Sequence, residues 1–304
     1  MKKILLLFGC LFVLQGLQAQ DEAVYSHYLI APITINPSAA GFEGRHQILF
    51  NARASWSGFP DAPKNLNMQY NGPVGEVFGV GVGVFTESAG ELTRLRGKLN
   101  FGFRFINNDD LRVAAGFSVD YQQMSIGNSI LGDPFVQAGD RNIENAVDGK
   151  KVLDSSFGLY GRYDNFDFGV ALNNLIQTRI DNLTVEDNEE TSAFDNFTLF
   201  TQYEFDQFEN FSIRPSVMLR QIKDAPFQFD VNVVAGFLED QVYAGLSYRQ
   251  IGALGVLLGG TLEDSFSLFY TFDLSTNDFQ QYNSGSHEVT LGFGLGKKSS
   301  PFGR

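Results

Sequence analysis

From Thr93 to Asn107 the chain alternates between two kinds of side chain. Leu95, Gly97, Leu99, Phe101, Phe103 and Phe105 fall on one parity, and Arg94, Arg96, Lys98, Asn100 and Arg104 on the other. Successive side chains of a β-strand point to opposite faces, so a strand keeps the two sets apart where a helix would mix them. At about 3.3 Å per residue the stretch exceeds about 40 Å, too long for an ordinary soluble strand and suited to a tilted one crossing a bilayer. The apolar parity then meets lipid and the basic parity meets water, as in a strand of an outer-membrane barrel.

The same reading predicts strands over 45–56, 65–71, 78–88, 92–106, 111–124, 152–163, 166–176, 193–205, 211–221, 226–237, 241–250, 253–262, 265–276 and 286–296. Leu111, Val113, Ala115, Phe117, Val119 and Tyr121 repeat the pattern against Arg112, Ser118, Asp120 and Gln122, whereas 253–262 is apolar on both parities. No convincing amphipathic helix interrupts the succession. The fold class expected is all-β, a transmembrane antiparallel β-barrel of about 14 strands. Tight polar turns at 107–110, 164–165, 206–210, 238–240 and 263–264 tend to alternate with longer links, above all 124–151, 177–192 and 277–285. Short periplasmic turns, longer extracellular loops and periplasmic termini are the layout of such barrels.

The phase set by Leu95 turns Arg94, Arg96, Lys98, Arg104, Arg112, Asp120, Asp230 and Glu288 toward the lumen, with Asp154, Arg162, Glu204, Arg214, Arg220, Arg249 and Asp273 beside them. Both signs occur, so most of these charges are expected to pair across strands, a selective anion path being the alternative. Either arrangement needs water or a partner, because an unpaired charge away from water is costly.

The two ends differ from the barrel pattern. Lys2 and Lys3, the apolar run Ile4 to Leu14 and Leu17-Gln18-Ala19 predict a signal peptide over 1–19, cleaved before Gln20. Cys10 lies inside the apolar run, which continues past it and disfavours lipoprotein cleavage there. Cleavage at Ala19 removes the chain's one cysteine, excluding disulfides, cysteine-based zinc sites and thiol nucleophiles. Residues 20–44 mix Tyr25, Tyr28, Leu29, Ile30, Ile33 and Ile35 with Pro32, Pro37 and Gly41. The prolines oppose a regular strand or helix, while the apolar side chains require burial. A barrel of this size has an interior wider than its own side chains fill, so the segment is expected to form a plug or lid. The barrel proper is expected over 45–296, followed by a tail over 297–304.

Composition narrows the function further. The 30 Phe, 11 Tyr and 32 Gly suit a strand-rich membrane protein with close backbone contacts. A formal charge of -13 opposes nonspecific nucleic-acid binding, which needs a basic surface. No P-loop, dinucleotide fingerprint, G-x-S-x-G elbow or H-E-x-x-H helix occurs. His287 and Glu288 are strand neighbours on opposite faces, poor geometry for a catalytic pair. The acidic run Asp187 to Glu190 lacks the spacing of a calcium loop. No catalytic residue, metal site or cofactor is expected.

Two motifs carry a more specific likeness. Asn36-Pro37-Ser38-Ala39-Ala40-Gly41, followed by Trp56-Ser57-Gly58-Phe59-Pro60-Asp61-Ala62-Pro63-Lys64, resembles the N-terminal hallmark of the PorP/SprF family of Bacteroidota. Gly132-Asp133-Pro134 and Gly285-Ser286-His287-Glu288 extend the resemblance over nearly the whole mature chain. It implies an outer-membrane component of type IX secretion and gliding that works with a secreted surface protein or adhesin. The implied associates are periplasmic secretion or peptidoglycan-anchoring components and outer-membrane lipid. Asn36, Pro37, Gly41, Trp56, Gly58, Phe59, Pro63 and Lys64 are accordingly the candidate partner-binding residues. Their bland reading is architectural: prolines favour extended turns, and Trp56 with Phe59 suits an interfacial aromatic girdle. A porin-like or FadL-like solute channel is the alternative function.

Overall fold

The computed structural model describes residues 26–295 apart from 109, 130–146, 148, 177, 180–191, 193, 209, 224 and 263–264. The expected signal peptide, the C-terminal tail, the Gly132-Asp133-Pro134 motif and the acidic run from Asp187 lie outside the described residues.

Alternation yields strands wherever it was read. The first half contains β1 (His46–Ala54), β2 (Lys64–Val74), β3 (Phe78–Ala89), β4 (Leu92–Asn107), β5 (Leu111–Ile126), β6 (Lys150–Tyr163) and β7 (Phe166–Leu172). After the two-residue β8 (Thr178–Arg179) come β9 (Phe197–Tyr203), β10 (Phe211–Gln221), β11 (Gln228–Phe237) and β12 (Val242–Arg249). The series ends with β13 (Ala253–Leu262), β14 (Phe266–Ser275) and β15 (Ser286–Leu295). All belong to one 15-stranded sheet in which β8 merely extends the edge of β6, so fourteen strands form the wall. Pairing of β5 with β6 and of β1 with β15, both antiparallel, closes the ring and leaves it no free edge.

Two strands fall short of their pattern by four residues or more. β7 stops at Leu172 rather than 176, because Asn174 takes a left-handed conformation (φ 54°) that turns the chain out of the ladder. Within the predicted 193–205, β9 covers only Phe197–Tyr203, and Phe205 makes an isolated bridge to Ile213.

Outward side chains form an apolar band. Leu95, Leu99, Phe101, Phe103 and Phe105 are all exposed, as are Phe117, Val119 and Tyr121 on β5. Phe101 and Phe117, opposite each other in the register, stack with ring centroids 5.0 Å apart. So much contiguous exposed apolar surface is unsustainable in water and suits hydrocarbon. Inward parity is polar and sealed instead: Asn100 and Ser118 are buried, as are Arg162, Arg214, Arg249 and Glu288.

The assignment of faces predicts the consequence of a misplaced charge. Phe101→Arg puts a guanidinium against hydrocarbon, where it costs about 2 to 4 kcal/mol near the midplane, and should reduce assembled protein measured by heat-modifiable gel migration. Phe101→Leu should assemble normally. Equal assembly of Phe101→Arg and the wild type would reverse the assigned faces.

Candidate functional site

The lumen is built around residues 26–44, which contact strands from every side of the ring. The backbone N–H of Ser26 donates to Glu288 Oε2 on β15 (2.9 Å), and Asn232 on β11 donates to the Tyr28 hydroxyl (2.7 Å). Asn36 donates to the carbonyls of Leu159 on β6 (2.9 Å) and Val170 on β7 (3.1 Å). The Gly41 N–H donates to Asn71 Oδ1 on β2 (2.7 Å). A short segment can reach such widely separated strands only from inside. Its Tyr28, Leu29, Ile30, Ile33 and Phe42 side chains, polar at few atoms and buried to within 5% exposure, find here the cover that their composition demanded.

A row of glycines makes room for the Asn36–Gly41 stretch. Gly79, Gly102, Gly116 and Gly158 are successive register partners across β3, β4, β5 and β6, all facing inward. A Cβ on Gly102 would lie 2.6 Å from the Ala40 carbonyl oxygen, and one on Gly116 would lie 2.6 Å from the Ser38 nitrogen. On Gly79 it would strike the Ala40 carbonyl, and on Gly158 the Asn36 amide oxygen. Gly41 completes the fit from the other side: its φ is 65°, and a Cβ there would stand 2.6 Å from Gly79 Cα. Side chains of any size on these strands would hold the segment off the wall.

Asn36 locks that stretch in place. Pro37 starts a one-turn 3-10 helix, and the Asn36 side-chain oxygen caps it by accepting from the Ser38 N–H (3.0 Å) and hydroxyl (2.5 Å). With its amide nitrogen donating to two strand carbonyls, every hydrogen-bonding capacity of the side chain is used. The Asn36, Pro37 and Gly41 motif is therefore seated inside the lumen.

At the two ends of the segment the contacts become ionic. Phe42 packs edge-on against Tyr160 (4.8 Å), with the Arg104, Arg112 and Arg162 guanidinium groups 5.4 to 5.9 Å from its ring centre. Arg104 also donates to the Gly41 carbonyl (2.8 Å), and Arg162 bridges Glu43 (3.1 Å) and Asp167. At the other end Arg53 pairs with Glu288 and Asp273 (2.8 Å each), while Arg249 pairs with Asp273 (3.1 Å) and Asp230 (3.8 Å). Ser26 Oγ accepts from both Arg53 and Arg249. His27 lies between Thr290 and Thr271, and burial pushes its imidazole below the ordinary histidine range against the pull of Glu288.

The remaining sequence candidates lie at the long-loop end. Arg94 pairs with Glu87 (3.4 Å), Arg96 donates to Gln122 (3.2 Å) and Lys98 faces Asp120 (3.8 Å). Trp56, Gly58, Phe59 and Pro63 belong to the β1–β2 link, and Lys64 opens β2. Trp56 and Phe59 are exposed, and Ser57 exchanges backbone hydrogen bonds with Gly285 and Ser284 of the β14–β15 link (2.7 Å each). The structure thus separates the two motif stretches, one inside and one at the rim. Sequence reasoning missed the glycine row, whose members become neighbours only through the register.

Loss of this fit should loosen the segment. Asn36→Asp sets a carboxylate against two strand carbonyls, and leaving such groups unsatisfied costs about 1 to 3 kcal/mol. It should lower the temperature at which folded gel migration is lost and expose residues 26–44 to protease, more than Asn36→Ala does. Gly116→Val should have the same effect by steric means. Wild-type protease resistance in Asn36→Asp and Gly116→Val together would show that the fit does not hold the segment.

Comparison with known proteins identifies this architecture. No curated protein matches the chain. Among solved structures it is similar to the CymD monoaromatic hydrocarbon channel, at 10% identity and a TM-score of 0.54, over 91% of this chain and 94% of that one. The Acinetobacter baumannii outer membrane protein Omp33 is 11% identical with a TM-score of 0.46, covering 84% of this chain and 100% of its own. The Pseudomonas putida toluene transporter TodX is 11% identical with a TM-score of 0.47, over 92% and 95%. At 10% identity the CymD likeness is one of fold alone. The family described as type IX secretion system membrane protein PorP/SprF matches residues 17–293, nearly the whole chain. Its membership implies interaction with other components of the secretion system. With an outer-membrane barrel and a family match of that extent, the chain belongs to the PorP/SprF family as an outer-membrane component of type IX secretion.

Proposed function

We propose that the protein is a nonenzymatic component that helps export or anchor a secreted surface adhesin in type IX secretion or gliding. It engages that partner at its long-loop end rather than conducting solutes. The observation that supports this reading is the occupied lumen: residues 26–44 touch opposite walls and are held by hydrogen bonds, ion pairs and a close-packed glycine row. A path blocked by so many mutually dependent contacts is ill suited to fast diffusion, which disfavours the solute-channel alternative. The exposed Trp56 and Phe59, braced against the β14–β15 link, offer the partner a rigid aromatic edge. Periplasmic secretion or peptidoglycan-anchoring components would meet the short-turn end.

Deleting the gene should remove an adhesin from the cell surface while leaving small-solute uptake unchanged. Altered uptake with normal surface proteins would overturn the secretion role. In planar bilayers the mature protein should show low conductance, and a correctly folded variant lacking residues 21–44 should show a higher one. A large, steady conductance from the intact protein would defeat closure by the segment.

A further inference from the structure

The N-terminal segment runs through the lumen in one direction. His46 and Leu295 pair at the short-turn end, where a ring of fourteen strands returns both ends of its wall. Gly41 lies against Gly79, the second residue of β3, while Phe42 meets Arg112, the second of β5. Glu43 pairs with Arg162, the last residue but one of β6. All three wall positions adjoin the short periplasmic turns. At the opposite extreme Ser26 is held by Arg53, the last residue but one of β1, by Arg249, the last of β12, and by Glu288, the third of β15. These three adjoin links on the long-loop side. The chain therefore descends from the extracellular end at Ser26 to the periplasmic end at Gly44, where a φ of 70° helps to turn it back up into β1.

Among the described residues the flanks of the segment leave no room for the chain to double back. The cavities beside Leu29 and Ala31, beside Ser26, and beside Tyr28 and Ile35 measure about 20, 10 and 70 Å³, space for water molecules and not for a peptide. The chain ahead of Ser26 is also short. Cleavage before Gln20 leaves Gln20 to Tyr25, which span about 20 Å when fully extended. Asp21 and Glu22 stand among them, and drawing both carboxylates down through a packed interior would cost far more than leaving them in water.

We infer that the mature chain begins outside the cell: its amino end lies at the extracellular mouth, and the segment enters the barrel from there. The wall alone, with His46 and Leu295 both at the foot, would put the amino end in the periplasm. The inference goes beyond the proposed secretion role and does not depend on it. It sets the amino end on the same side as the exposed Trp56 and Phe59, so that both belong to the surface an extracellular partner meets. A partner gripping that end pulls first on Ser26 and His27 and on their contacts with Glu288, Arg53 and Arg249.

Cysteine labelling of the full chain on living cells tests the direction, because the natural cysteine, Cys10, lies in the expected leader. A maleimide too large to cross the outer membrane should label Asp21→Cys on intact cells, to the level reached by Gln281→Cys in the exposed β14–β15 link. Glu76→Cys, in the exposed β2–β3 turn, should stay unlabelled until the outer membrane is permeabilised. Folded gel migration selects the assembled protein in each case, and Ala23→Cys serves if Asp21→Cys fails to assemble. Permeabilisation should add nothing to the labelling at position 21. Labelling there only after permeabilisation, in parallel with Glu76→Cys, would place the amino end in the periplasm and overturn the inference. Labelling in neither state would enclose the end within the lumen and overturn it equally.

Discussion

Backbone contact between Asn36–Gly41 and the inward glycine row is the constraint on which the interior depends. Four strands present hydrogen atoms where other residues would present side chains, and the N-terminal segment lies in the trough that results. Close approach brings the Asn36 amide to the Leu159 and Val170 carbonyls and the Gly41 N–H to Asn71. From that fixed stretch the chain runs one way to Phe42 and its arginines, and the other way to Tyr28 and Ser26. Tyr28 and Ile33 fill space that strand side chains alone would leave open, in keeping with the geometry of a ring of this size.

Buried ions serve the same seat. Arg53, Arg249, Asp273 and Glu288 converge on Ser26 and His27, so the strands' charges are satisfied partly by one another and partly by the segment. Taking charges out of water offsets most of what their attraction contributes, so such a cluster adds little net stability while making any arrangement that leaves one member alone very costly. Its effect is to select a single position for the segment. On β4 the inward charges meet neighbours on the adjoining strands, Arg94 with Glu87 at 3.4 Å and Lys98 with Asp120 at 3.8 Å.

Alternation located each of the fourteen wall strands, because period two is a local property that each strand must satisfy against lipid on one side and polar interior on the other. β4 and β5 show this best, with Leu95, Leu99, Phe101, Phe103, Phe105, Phe117, Val119 and Tyr121 exposed and the Arg and Asp parity turned inward. Where the cue failed, at the ends of β7 and β9, the cause was a left-handed asparagine and a broken ladder, which apolar spacing does not encode. The need of residues 26–44 for cover was also visible, since apolar side chains among prolines can neither join a sheet nor face water.

The sequence by itself determined the fold class, the two faces of the alternating strands and, through its two motifs, the family. Only the tertiary structure decided that Gly79, Gly102, Gly116 and Gly158 form one row, that Asn36 spans two strands, and that Asn36-Pro37 lies inside while Trp56 and Phe59 stand at the rim. It likewise decided which carboxylate each arginine meets, as Arg214 does with Glu204 and Asp240. The physical reason is that these relations depend on strand register and ring closure, which join residues far apart in the chain, whereas alternation is written between nearest neighbours.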